Sequence, residues 1–149
     1  MTQSARHPSK DCIITVSDQD DLPVAREINE RLKTDIENDI RQVPNRIPLV
    51  AWVTDKAKEF RGGIRGFSHW NWLYISHLWV DPGFRSGGLG AQLLLHAEHE
   101  AKTRKLTGIY VDTFSVKARE FYVRHGFVEL GRINDFPPGQ TRYFLSKRI

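Results

Sequence analysis

The sequence predicts a mixed α/β domain, a sheet with helices laid on its faces. Short stretches rich in β-branched and aromatic residues read as strands. At three places the apolar period lengthens to the helical one. The two kinds follow one another as strand, helix, three strands, helix, strand, helix, two strands, which needs a sheet with both hairpins and crossovers.

Each element has its own signal. Residues 11–17, DCIITVS, read as a first strand. Asp20 or Asp21 then caps a helix with Val24, Ile28, Leu32 and Ile36 at spacing four, one apolar stripe. The segment NDIRQVPNRIP loses that period and holds two prolines, as a loop or short helix does. Residues 47–54 and 60–69 read as strands joined by the polar turn TDKAKE. WLYISHLWV, 72–80, is a third strand, apolar on both faces. From Gly88 to Arg104 the helical stripe is Gly90, Leu93, Leu94, Ala97 and Ala101. GIYVDTF is a strand. Ser115 caps a helix with face Ala118, Phe121, Tyr122 and His125, and Gly126 stops it. FVELGRI and TRYFLSKRI close the chain around the turn DFPPGQ.

At 149 residues the chain fits one domain, expected over 11–149 after a disordered polar tail at 1–10. That tail has no apolar core, so it does not read as a signal peptide. The longest apolar run, IPLVAWV, is too short for a bilayer, and no membrane partner is expected. The single cysteine, Cys12, excludes an internal disulfide and a cysteine-based metal site, and fits a reducing cytoplasm. Charge is uneven. Residues 18–39 hold eight acids against three bases, a net −5, while the whole chain is +4. A basic body favours an anionic partner; the acidic segment favours a cationic one, or is a solvated helix face.

The densest signal is VDPGFRSGGLG, 80–90, between a strand and a helix. A helix N-terminus carries unpaired N–H groups and a partial positive charge, an anion site before any side chain is added. Gly87, Gly88 and Gly90 bare that backbone, and Arg85 adds a forked cation. A diphosphate suits the loop; close packing of helix on strand is the other reading. A nucleotide-triphosphate loop needs Lys-Ser/Thr after its last glycine, where Ala91 and Gln92 stand. A dinucleotide loop needs a glycine at Leu93.

The run from Leu78 through Val80, Pro82, Arg85 and Gly88 to Gly90 resembles the acyl-CoA signature of the GNAT superfamily of N-acetyltransferases. Ala118, Phe121, Tyr122, Gly126 and Phe127 resemble that family's second element, about thirty residues on. The resemblance implies a mostly antiparallel sheet of six to seven strands, splayed between the strand ending near Val80 and the one near Ile109 and Asp112. It implies acetyl transfer from acetyl-CoA to a primary amine, with no metal and no acyl-enzyme. The implied CoA contacts are Leu78, Val80, Arg85, Ser86, Gly87, Gly88, Leu89, Gly90, Ser115, Ala118 and Tyr122. Ser115 stands where the family often has an asparagine whose amide touches the pantetheine arm, a departure that puts a shorter hydroxyl at that position.

Direct attack needs an oxyanion donor, a proton for the thiolate and a neutral amine. The resemblance gives the first to the Leu78 backbone N–H and the second to the Tyr122 phenol. The third is open. The family often places Glu or His two or four residues before Leu78, where Ser76 and Tyr74 stand. His77 faces the other side of a regular strand unless a bulge intervenes. His69, His77 and Asp112 all stand as base candidates.

Two other readings are kept. An acyl-CoA-binding regulator without turnover would account for the missing base. RGGIRGF with Trp70, Trp72 and Trp79 could form a single-stranded nucleic-acid surface, the less favoured reading. HAEHE, 96–100, lacks the histidine spacing of zinc-protease helices. A homodimer through the C-terminal strands is open by analogy with the superfamily.

Overall fold

A computed structural model describes residues 13–42 and 45–149. The chain divides into two compact units between Val43 and Pro44.

The first unit carries helix α1, Pro23–Ile40. Neither Asp20 nor Asp21 caps it. Leu22 is the N-cap, without a side-chain bond, and Pro23 occupies the first turn, where its fixed φ is already helical. Arg41 ends the helix at φ 55°, its N–H donating to the Glu37 carbonyl. The expected first strand does not form. Asp11 and Cys12 lie outside the described residues, and residues 13–17 pair with no strand. Ile13, Ile14 and Val16 are about nine-tenths exposed. An apolar β-branched run becomes a strand only where an edge pairs with it, and composition alone supplies none.

The second unit is a six-stranded sheet in the order β1-β2-β3-β4-β6-β5. Its strands are β1 Arg46–Thr54, β2 Phe60–His69, β3 Trp72–Val80, β4 Gly108–Thr113, β5 Val128–Asn134 and β6 Thr141–Arg148. Only β3 and β4 are parallel neighbours, joined by helix α2, Leu89–Thr103; helix α3, Val116–Arg124, links β4 to β5. The other pairings are antiparallel, as expected.

Both helices lie on one face. Leu73 and Ile75 of β3 register with Ile109 and Val111 of β4, and Val111 with Leu145 of β6, all buried. On β6 the same face presents Tyr143, under Arg119 of α3, and Lys147, paired with Glu98 of α2 at 2.7 Å. The α2 stripe Leu93, Leu94, Ala97 and Ala101 is buried against this layer. Arg104 then ties the end of α2 to β1, donating to the Ile47 and Pro48 carbonyls at 3.2 and 3.0 Å. No helix among the described residues is long and apolar enough to cross a membrane.

The course of β3 depends on two neighbouring positions. Arg65 registers with His77 but Gly66 with Ile75, so Ser76 is an extra residue, a β-bulge in β3. Gly66 makes the bulge possible, because a Cβ there would sit 1.9 Å from the Tyr74 carbonyl oxygen. The last glycine of RGGIRGF is therefore a steric requirement of the bulge.

Candidate active site

β3 and β4 pair only from Trp72 with Gly108 to Ile75 with Val111. Beyond Ile75, β3 keeps only β2, and the sheet splays where the resemblance implied an opening. Backbone groups on an antiparallel strand alternate in direction. Asp81 N–H donates to Arg61 O on β2, whereas the Val80 carbonyl accepts from Arg85 Nε at 2.9 Å. Counting back from Val80, the Leu78 N–H points the same way, into the gap.

The glycine loop lies at the mouth of this gap. Asp81 starts a 3-10 turn, Pro82–Phe84, that the sequence did not reveal; its carboxylate accepts from Gly83 N–H. Gly88 is the N-cap of α2 at φ 79°, and a Cβ built on it would touch nothing within 4 Å. The first helical bond runs from Gln92 N–H to Gly88 O. The N–H groups of residues 86–91 donate to no protein acceptor at hydrogen-bonding geometry among the described residues. All of these residues except Gly87 line a cavity of about 410 Å³, together with Arg85, Phe121, Arg124 and His125. A run of free amides beside two guanidinium groups fits a diphosphate. Arg124 was missed because its spacing reads as an exposed helix position.

Tyr122 comes to the gap from α3. It is 6% exposed among core residues, with Phe121 and Phe127 rings at 5.3 Å. Burial, then the nearby Asp112 charge, pushes its phenol up to about 12. The hydroxyl stays protonated at neutral pH, as a proton donor requires. Ser115 caps α3, its Oγ accepting from Ala118 N–H at 3.2 Å. Its hydroxyl hydrogen remains free to donate, but the oxygen is occupied.

The three base candidates separate. His69 sits beside the β2–β3 turn against Trp70, five register positions from the Leu78 pair, about 17 Å along the strand. Asp112 lies at the splay, but Tyr74 Oη donates to one of its oxygens at 2.5 Å and Arg142 Nε to the other at 2.8 Å. His77 follows the bulge. Because Ser76 is the extra residue, Leu78 and Val80 join Leu73 and Ile75 on the helix-bearing face, while His77 and Trp79 share the opposite face with Tyr74. No cluster of three metal-capable side chains forms among the described residues.

The sequence matches the Acetyltransferase (GNAT) family over residues 16–127. The chain belongs to this family of acetyltransferases. Blasticidin-S acetyltransferase of Streptomyces morookaense is 39% identical over 92 residues, 61% of this chain and 68% of the relative. A crystal structure of an Agrobacterium tumefaciens protein superposes with a TM-score of 0.80 at 28% identity, covering 93% of this chain and all of that one. An acetyltransferase from Bacillus cereus gives 0.76 at 28% identity, over 91% and 98%. Acetyl-CoA is the acyl donor of this GNAT acetyltransferase.

One feature beside the splay escaped sequence reasoning. Tyr74, Asp112 and Arg142 form a chain across β3, β4 and β6, with the Tyr74 and Tyr110 rings stacked at 4.9 Å. Arg142 is held over Phe114, Phe136 and Phe144 at 5.0–5.4 Å. Burial, then the bond to Asp112, pushes the Tyr74 phenol up to about 12. Its signal was the acid at 112 and a tyrosine four residues before Leu78, but the connection exists only through strand order. Arg61, the first residue of RGGIRGF, is paired with Asp55 at 2.7 Å and Asp81 at 3.1 Å.

Proposed function

We propose that this GNAT acetyltransferase carries an acetyl group from acetyl-CoA to a primary amine of a small cationic acceptor, by direct attack within a ternary complex. The observation that carries the reading is the free amide run 86–91 opening onto the β3–β4 gap, with the Leu78 N–H directed into that gap and Tyr122 beside it. Bound there, acetyl-CoA supplies the thioester carbonyl. The residues 86–91, with Arg85 and Arg124, hold the diphosphate. Leu78 N–H donates to the carbonyl oxygen as negative charge develops on it. Tyr122 gives its proton to the departing sulfur, and its high affinity for that proton keeps it available across neutral pH.

The acceptor class rests on two supports. The eight acids of residues 18–39 favour a cation, and a 39% identical relative is named for acetylating blasticidin S. The test is release of free thiol from acetyl-CoA against a panel of amines headed by blasticidin S, with lysine peptides and polyamines beside it. Turnover with at least one small cationic amine, and weaker turnover with acidic or neutral ones, is expected. Preference for acidic acceptors sinks the cationic assignment. No turnover with any amine, despite measurable CoA binding, sinks the enzymatic one.

A further inference from the structure

The bulge in β3 does more than move His77 to another face. Ser76 Oγ lies 3.1 Å from the Arg65 carbonyl, which can only accept, so the serine hydroxyl donates its hydrogen there. His77 Nδ1 lies 2.9 Å from the same Oγ. With the hydroxyl hydrogen already placed, Nδ1 must be the donor of that contact. Neutral imidazole carries one N–H, so Nε2 is left with a bare lone pair. No protein group among the described residues bonds to Nε2.

His77 lines a cavity of about 260 Å³ on the sheet face opposite α2 and α3, with Val50, Trp52, Phe60, Arg65 and Trp79. Phe60 and Trp79 stack at 5.6 Å and form one wall. Of the side chains lining this cavity only Arg65 and His77 can carry charge, and a guanidinium cannot accept a proton. Arg65 is the cross-strand partner of His77, and β1 contributes Val50, Ala51 and Trp52 to the lining.

We infer that His77, its tautomer fixed by Ser76, is the general base that takes a proton from the acceptor ammonium in this apolar cavity. The inference rests on the transfer reaction proposed above. Tyr122 packs on the helix-bearing face, and His77 stands on the opposite face of β3, next in the chain to Leu78, whose N–H is directed into the gap. Nε2 removes one proton from the ammonium. The neutral nitrogen bonds to the acetyl carbon, the carbon–sulfur bond breaks, and the sulfur leaves with the Tyr122 proton. The second nitrogen proton replaces the one Tyr122 gave up. Nε2 returns its proton to water, so amine cation and thioester become amide, thiol and one released proton. The acceptor is a small molecule whose apolar part lies against Trp52 and Trp79, which line the cavity.

The experiment joins kinetics to a measurement made without substrate. Nitrogen-15 NMR of the free protein should show His77 as the Nδ1–H tautomer at high pH, and Ser76→Ala should shift it toward Nε2–H. With the best acceptor of the panel, His77→Ala should lower kcat/KM at least 100-fold and abolish its acid limb. CoA affinity by calorimetry should stay within about twofold, and added imidazole should restore part of the rate. Ser76→Ala should lower kcat several-fold with little change in KM, and Ser76→Thr should restore it. An unchanged acid limb in His77→Ala, or an Nε2–H tautomer in the wild type, overturns the assignment while the transferase reading stands. A wild type that releases thiol with no amine overturns both.

Discussion

At the scale of single residues, Tyr122 carries the most direct test. Its hydroxyl is the only part that Tyr122→Phe removes, so packing against Phe121 and Phe127 survives. Turnover should fall about 100-fold or more, within the usual range for a lost general acid. CoA affinity should hardly change, and that separates a catalyst from a regulator that merely binds. The phenol also leaves a mark on stability. Tyr74 and Tyr122 are both raised from 10.0 to about 12, so the folded state favours their neutral forms. Their contribution is complete below pH 10 and is lost as pH rises toward 12, because the unfolded chain ionises first. Denaturant titrations between pH 8 and pH 11.5 should show that decline, and Tyr122→Phe should flatten it. The acid side has the opposite sign. Arg61 holds the Asp55 carboxyl low, and Arg119 with Arg132 does the same for Glu129. Their stabilisation is present above the unfolded carboxyl values and fades as pH falls below about 4.

The elements decide how far such residues can be placed from sequence. The helices and strands expected from residue 20 onward all formed near their anticipated bounds, because their periods, the Ser115 cap and the Gly126 stop are local signals. What failed was the strand at 11–17 and the cap of α1, where a local pattern had to be completed by something else. The glycine loop was legible because its chemistry is backbone chemistry written in consecutive residues. The Tyr74, Asp112 and Arg142 chain was not, since strand order brings together residues 38 and 30 positions apart. The loop gives its own prediction. Gly88 sits at φ 79°, where a β-branched side chain is strained by about 1–2 kcal/mol. Gly88→Val should weaken CoA binding about tenfold or more by calorimetry, through loop geometry alone. An unchanged dissociation constant would separate the anion from this helix end.

For the molecule as a whole, the ligand and the fold are thermodynamically linked. At a hundred times its dissociation constant, CoA should stabilise the protein by about 2.7 kcal/mol, seen as a rise in thermal midpoint that Arg85→Ala reduces. The side-by-side arrangement of α2 and α3 on one face comes from two crossovers of the same hand, from β3 to β4 and from β4 to β5. The order of elements implied a mixed sheet with helices on its faces, and the gap between β3 and β4 was implied by the resemblance to the GNAT superfamily. The side of the sheet on which each β3 residue falls was not implicit, because one extra residue reverses it.

That reversal rests on an absence. Position 66 is held to hydrogen by a carbonyl oxygen on the neighbouring strand, so even one methyl group forces β2 and β3 back toward regular pairing or apart. Saturation mutagenesis should therefore return glycine alone at 66 among active clones, although that residue meets neither substrate. The imidazole's address is thus set by a residue with nothing to say chemically, one strand away.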